Sequence, residues 1–171
     1  MPVAQIKALY LFNFAKPQYV NWPTGTFADA TSPLVIGVVV SAGSTESAEV
    51  ARHLETMTKG KTVEGRTLNI QRVRTAAEAK QCHVLFLGDG EKERLLDLAT
   101  QLAGLPVLTV TDSEDAALKK AAVIGFLRKQ ERVRLRIDLN LAREAKLTLK
   151  ATMSTLADEL VGGGGTPPPR H

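Results

Sequence analysis

Residues 7–23, KALYLFNFAKPQYVNWP, decide how the rest of this chain must be arranged. From position 8 to position 15 only Asn13 is polar, so a helix here has no face suited to water and the rest of the protein must cover it. Pro17 has no amide hydrogen and its ring clashes with the carbonyl of Asn13, so we expect the helix to end or kink near that proline. Two interpretations stay open: a core helix packed on a sheet, or a helix that also packs on a second protein chain.

Three continuous apolar runs indicate the sheet that would cover this helix. Strands buried on both faces have this composition, as in a parallel sheet, and the runs are residues 34–40 (LVIGVVV), 83–88 (HVLFLG) and 105–110 (LPVLTV). An alternating segment at residues 67–73 predicts a further strand with one wetter face. Helical patterns lie between or after these strands, at residues 45–57, 75–80, 91–102, 112–120, 139–145 and 149–160.

The last two strands break the alternation of strand and helix. Residues 122–127 and 132–138 are joined by a connection too short for a parallel crossover, so they must form an antiparallel hairpin. We therefore predict an α/β three-layer sandwich with a mostly parallel, Rossmann-like sheet and a C-terminal antiparallel edge hairpin. Residues 1–161 form a single domain in this prediction, and residues 162–171 (GGGGTPPPRH) form a flexible tail rich in glycine and proline.

The composition is that of an ordinary globular chain. The 171 residues carry a net charge of +4 and are 44% hydrophobic, with no apolar run long enough to span a membrane. Cys82 is the only cysteine, so it is either a small buried hydrophobe or a thiol in an intermolecular disulfide. The start of the chain shows no basic region or cleavage site, which predicts either a cytosolic protein or an exported one without its leader.

Candidate ligand groups collect where the predicted parallel strands end. Ser41, Asp89 and Asp112 follow three buried strands, and ligands of open α/β sheets bind beyond such ends. Asp89 and Asp112 could share a metal ion, or they could be turn and cap residues that bond their own backbone. The sequence carries no glycine-rich nucleotide motif and no nucleophile elbow, so we predict a protein without cofactor, metal or catalytic activity.

One strand carries a concentrated positive charge. Arg132, Arg134 and Arg136 alternate with apolar residues, so one face of this strand is charged and the other is buried. Such a face can bind phosphates, but no aromatic residues interleave with the arginines. We therefore expect a solvated edge or a surface for a protein partner, and no nucleic acid.

The order of these segments resembles the YfiR family. The resemblance covers residues 4–160, and the closing RVRLRIDLNLAREAKLTL and the opening NFAK…NWP carry most of it. Between them stand the LVIGVVV strand, the GK…VEGR turn, QCHVLFLG, PVLTVTD and VIGFL. This chain departs from the family at two points: it has one cysteine in place of cysteine pairs, and it has Ala121 and Ala122 where relatives carry paired glycines.

The resemblance implies a periplasmic regulator without enzymatic activity. Family members restrain an inner-membrane diguanylate cyclase of the YfiN type by binding its periplasmic region, and an outer-membrane, peptidoglycan-associated lipoprotein of the YfiB type can draw them off. They thereby control cyclic-di-GMP signalling and biofilm formation, and they tend to form homodimers. The same module also occurs as an extracytoplasmic sensor in front of membrane kinases.

These implications lead to expectations for individual residues. We expect the contact surfaces to include residues of the first helix, its exit loop, the arginine strand and the C-terminal segment, namely Leu11, Phe14, Tyr19, Trp22, Arg132, Arg134, Arg136, Leu139 and Leu149. The alternative is a small-molecule sensor whose ligand lies in the crevice near Ser41, Asp89 and Asp112. An α/β enzyme is the third hypothesis, and the sequence offers no nucleophile, base and oxyanion set for it.

Overall fold

The computed structural model describes residues 2–41, 45–88, 92–113, 121–129 and 132–162. Its helices are α1 (Val3–Phe14), α2 (Thr45–Thr58), α3 (Ala76–Ala79), α4 (Lys92–Gln101), α5 (Leu139–Glu144) and α6 (Ala151–Leu156). Its strands are β1 (Val20–Asn21), β2 (Leu34–Val39), β3 (Thr62–Val63), β4 (Arg66–Val73), β5 (Val84–Leu87), β6 (Leu108–Thr111), β7 (Ile124–Lys129), β8 (Arg132–Asp138), β9 (Thr148–Leu149) and β10 (Glu159–Val161). Most of the helix predicted at residues 112–120, and the tail from residue 163 onward, lie outside the described residues.

Eight strands form one sheet in the order β10-β8-β7-β6-β5-β2-β4-β3. The five strands β4, β2, β5, β6 and β7 are parallel to one another, and their chain order gives the 2-1-3-4-5 arrangement of flavodoxin-like sheets. The β7–β8 and β3–β4 pairs are antiparallel, while β10 is parallel to β8. The predicted α/β sandwich with a mostly parallel sheet is therefore confirmed.

The core lies in two layers, one on each face of the sheet. α1 and α2 pack against each other on one face, over a cluster of buried side chains that includes Leu54 and Phe86. α3 and α4 contribute to a second cluster on the other face, which includes Leu85 and Leu98. Successive residues of β5 point to opposite faces, which is why an uninterrupted apolar run is needed there.

α1 packs one stripe of side chains against the sheet. Leu11 and Phe14 are fully buried at 0% exposure, and the ring centroid of Phe14 lies 6.0 Å from Tyr10 and 6.4 Å from Phe126. The helix ends at Phe14, before Pro17, as predicted. The core-helix interpretation is confirmed for this stripe. Leu11 and Phe14 are therefore removed from the expected contact surface, because the subunit itself covers them.

β8 is not the edge of the sheet. The antiparallel β7–β8 hairpin is present as predicted, but β10 lies along the outer side of β8, with Leu160 opposite Ile137. The prediction of an edge hairpin is wrong in this respect. The helix predicted at residues 149–160 is present but shorter, because α6 covers Ala151–Leu156 and a strand follows it.

Asp158 explains why the chain leaves the helix and joins the sheet. Its carboxylate accepts a hydrogen bond from the Leu135 N–H at 2.8 Å and another from Arg134 at 2.8 Å, and its own N–H donates to the Leu135 carbonyl at 2.8 Å. These bonds satisfy backbone groups of β8 that an edge strand would leave open. Helical periodicity in the sequence does not report such a long-range bond.

The contact between Gly37 and Cys82 gives a stability prediction. A Cβ at position 37 would overlap Cys82 Sγ and lie 2.9 Å from Val73 Cγ2, so we expect Gly37→Ala to lower the free energy of unfolding by about 1–3 kcal/mol through overpacking. Gly125→Ala is the matched control, since its Cβ would meet only Arg136 Cβ at 3.9 Å. Urea unfolding curves measure both variants, and equal stabilities would contradict the prediction.

Candidate functional site

The topological switch point of the sheet lies between β2 and β5, where the order of parallel strands reverses. Ser41 follows β2 and is exposed, Gly88 follows β5, and Asp112 follows β6. The structure thus places Ser41 and Asp112 at the carboxyl end of the sheet, as predicted. Asp89 lies outside the described residues, so its part in a crevice remains a prediction.

A buried lysine from α1 lies at this end of the sheet. The Lys7 side chain is 4% exposed, and its Nζ lies 2.5 Å from Glu46 Oε1 and 2.6 Å from Asp112 Oδ2. An unpaired buried ammonium would be costly, so the two carboxylates are what permits it to lie here. This triad ties α1 to the start of α2 and to the end of β6.

Sequence reasoning missed Lys7. The sequence does point to this residue, because Lys7 is the only charged residue between positions 3 and 15. A lone charge in an apolar helix needs a partner of opposite charge when it is buried. The triad gives Asp112 a structural role as a lysine partner. Within the described ranges, no group of three or more His, Cys, Asp or Glu side chains is arranged to hold a metal ion.

A cleft of about 350 Å³ opens at the opposite, amino end of the parallel strands. Trp22 and Phe27 line it from the loop before β2, and Arg66 lines it from the start of β4. The Arg66 guanidinium lies 3.8 Å from the Phe27 ring centroid, and the Phe27 ring stacks on His83 with 4.4 Å between centroids. The cleft therefore offers aromatic walls and a cation, which are features of small-molecule sites.

His83 is held neutral behind this aromatic wall. Its Nδ1 accepts a hydrogen bond from the Val35 N–H at 2.9 Å, so the ring proton belongs on Nε2. Burial, together with the positive charge of Arg66, lowers the pKa of His83 to about 4. Sequence reasoning missed Phe27 and Arg66 because the two residues come from separate segments and share no motif.

A two-stranded sheet brings together two of the segments expected to form contacts. β1 pairs with β9, with Val20 opposite Leu149, and the Lys150 N–H donates to the Tyr19 carbonyl at 2.9 Å. The exit loop of the first helix and the C-terminal segment are therefore neighbours. Four of the expected contact residues are partly buried and pack on the core, namely Tyr19, Trp22, Leu139 and Leu149.

The arginines of β8 do not form a uniform solvated face. Arg132 is exposed, whereas the Arg134 side chain is 29% exposed and bonds to Asp158. Arg136 is partly buried and has interactions of its own. Arg132 is thus the member of this set that is most available to a partner.

Cys82 lies in the core and not on a surface. It is 3% exposed, and burial, with a smaller contribution from the charge of Glu78, raises its pKa to about 12. A buried thiol that stays protonated is a poor nucleophile. This placement agrees with the interpretation of Cys82 as a small hydrophobe.

The strand order and layers define this protein as a doubly wound α/β protein of the flavodoxin-like type. A family model described as YfiR/HmsC-like matches residues 4–158, so the chain belongs to the YfiR/HmsC-like family, as its sequence resemblance predicts. This family is regulatory rather than catalytic. No curated protein matched the chain.

The length and apolar character of the helices decide whether any of them could cross a membrane. Across the part of the chain that the structure describes, none of them combines the length and the apolar character that crossing a bilayer requires.

The Lys7 triad gives a prediction for the carboxyl end of the sheet. Lys7→Met removes the buried ammonium that pairs with Glu46 and with Asp112, whose side chain is 11% exposed, so we expect the free energy of unfolding to fall by about 3 kcal/mol. Lys16→Met is the control, because Lys16 lies over the Phe12 ring at 4.6 Å and such a contact contributes about 1 kcal/mol or less at a surface. Chemical denaturation measures both, and a larger loss for Lys16→Met would contradict the role of the triad.

The neutral state of His83 predicts a dependence of stability on pH. The folded-state pKa of about 4 lies below the unfolded value near 6.5, so the unfolded chain binds more protons between these values. Stability is therefore full above about pH 6.5 and falls as the pH drops toward 4. His83→Asn keeps an acceptor for the Val35 N–H and does not titrate, so we expect a smaller loss over this range. Urea midpoints at several pH values test this, and parallel pH profiles for both proteins would overturn it.

Proposed function

We propose that this protein is a periplasmic regulator that binds and represses an inner-membrane diguanylate cyclase of the YfiN type. The match of residues 4–158 to the YfiR/HmsC-like family carries the proposal, since this family is associated with periplasmic regulation of cyclic-di-GMP signalling. The proposal extends to release of the repressor by an outer-membrane lipoprotein of the YfiB type, to control of biofilm formation, and to a homodimeric state.

Binding alone is sufficient for this kind of regulation. A repressor that binds the inactive conformation of a cyclase more tightly by about 2.7 kcal/mol shifts the balance between the two conformations by about a hundredfold. A modest apolar contact can supply this energy, because a few central residues dominate most interfaces. A regulator therefore needs an accessible apolar surface and no catalytic group.

Exposed leucines near the C-terminal end of the described chain provide such a surface. Leu156 of α6 is 36% exposed and Leu160 of β10 is 44% exposed. β10 contacts α5, which also contacts β9, so Leu160 lies near the region of Leu139 and Leu149. Leu156 precedes Leu160 by four residues at the end of α6. We define the C-terminal apolar surface as Leu139, Leu149, Leu156 and Leu160, and we assign cyclase contact to it.

The test measures affinity of the purified protein for the periplasmic region of a YfiN-type cyclase by biolayer interferometry. We expect saturable binding, and we expect Leu160→Glu to weaken it at least tenfold by placing a charge in an apolar contact. Leu96→Glu on α4 is the matched control, because Leu96 is also an exposed leucine, at 51%, but belongs to a helix on the other side of the sheet.

Circular dichroism spectra of both variants check that they stay folded. Absence of binding by the unchanged protein would contradict the proposed function. An equal loss of affinity in the Leu96→Glu variant would contradict the assignment of the C-terminal apolar surface.

A small-molecule sensor is the second candidate function, and the cleft at the amino end of the strands favours it. The ligand crevice predicted from the sequence, near Ser41, Asp89 and Asp112, lies at the other end of the sheet. Trp22 is the only tryptophan of the chain and lines the cleft, so its fluorescence should change when a ligand enters. A library of small aromatic acids that changes neither the fluorescence nor the melting temperature would argue against this candidate.

A further inference from the structure

The two edges of the sheet are protected to different degrees. At one edge, β10 and the Asp158 bonds cover β8. At the other edge, β3 pairs with only the first two residues of β4, Thr62 with Thr67 and Val63 with Arg66. Among the described residues, no strand pairs with the outer side of residues 68–72. A five-residue stretch of strand edge is therefore open.

The direction of the backbone groups along this stretch follows from its pairing with β2. The Val73 carbonyl accepts a hydrogen bond from the Val40 N–H on the β2 side. Backbone groups alternate along a strand, so Leu68, Ile70 and Arg72 direct their N–H and C=O groups away from β2. An added strand would find three donors and three acceptors in register.

A groove runs beside this open edge on the side of α2. It has a volume of about 340 Å³ and is lined by Leu68 and Ile70 of β4 together with Thr58 at the end of α2. Leu68 and Ile70 are only partly buried. The Arg72 side chain does not block the edge, because its Nη2 lies 3.1 Å from Oε1 of Glu55 on α2. The groove can therefore receive apolar side chains of an added strand.

The charge beside the groove indicates the kind of strand that fits. Lys59 and Lys61 line the groove and are exposed, and no ion pair to either occurs among the described residues. The one acid in the lining, Glu55, is paired with Arg72. A strand that carries carboxylates at its ends would complement these two lysines.

A second copy of this chain does not fit the edge. A two-fold symmetric pairing is antiparallel and isologous, and centring it on Ile70 uses the whole open stretch. Val73 of the second copy would then fall opposite Thr67, where Thr62 of β3 already pairs. The occupant must be a short segment that can leave the edge before it reaches β3.

We propose that the open edge of β4, residues 68–72, binds an extended acidic segment of a different protein by strand addition, with apolar side chains in the groove beside α2. The inference does not depend on the proposed function, because its test contains no cyclase.

The probe is the acetylated and amidated peptide ETVTVTE, whose valines and glutamates lie on one face of an extended strand. NMR measures amide hydrogen exchange in the free protein. We expect fast exchange for the amides of Leu68, Ile70 and Arg72, and slow exchange for those of Asn69 and Gln71. Added peptide should slow exchange of the first three amides at least fivefold.

Two control peptides separate strand addition from simple charge attraction. A copy of the peptide N-methylated at its three central amides cannot complete the backbone bonds, so we expect its affinity to be at least tenfold lower. The peptide KTVTVTK should also bind at least tenfold less tightly, because its ends repel the lysines.

A charge reversal on the protein completes the test. The double variant Lys59→Glu/Lys61→Glu should bind ETVTVTE at least tenfold less tightly. The control variant Lys146→Glu/Lys150→Glu carries the same change of charge away from the groove, and its affinity for the peptide should not change. Slow exchange of all five amides in the free protein would overturn the inference. Undiminished binding of the N-methylated peptide, no detectable binding of ETVTVTE, or equal losses in both double variants would overturn it as well.

Discussion

The packing of α1 on the sheet is the constraint on which the rest of the structure depends. Leu11 and Phe14 are fully buried against strands that are distant in sequence, and each such burial contributes about 1.5–3 kcal/mol. Because α1 also packs against α2, these two helices form one layer. The buried stripe of the first helix thus serves the core of the subunit, while Leu9 on the same helix stays 43% exposed.

This arrangement gives the two ends of the sheet different chemistry. At the carboxyl end, α1 brings Lys7 to Glu46 and Asp112, and an ion triad occupies a position where open α/β sheets commonly bind ligands. At the amino end, the loop that follows α1 contributes Trp22 and Phe27 to an accessible cleft. Among the described residues, the carboxyl end of the sheet thus holds an ion triad and the amino end holds an accessible cleft.

The edges of the sheet show a similar division. Asp158 directs the C-terminal segment onto β8, which covers one edge and leaves Leu160 exposed beside it. The opposite edge at β4 stays open and is flanked by lysines. A regulator that acts by contact benefits from two separate surfaces, since one partner can then bind without displacing another. Membership in the YfiR/HmsC-like family agrees with such a mode of action.

The sequence by itself determined the secondary structure class, the parallel core strands and the β7–β8 hairpin, because apolar periodicity and connection length report local geometry and burial. It also determined the family, because the order of the matching segments can be recognised in the sequence alone. Only the tertiary structure decided that Leu11 and Phe14 are core residues and that β10 rather than a helix follows Leu156. It also decided that Trp22, Phe27 and Arg66 line one cleft. These outcomes depend on contacts between residues far apart in the chain, such as Asp158 with Leu135, and no local pattern encodes a partner that lies more than twenty positions away.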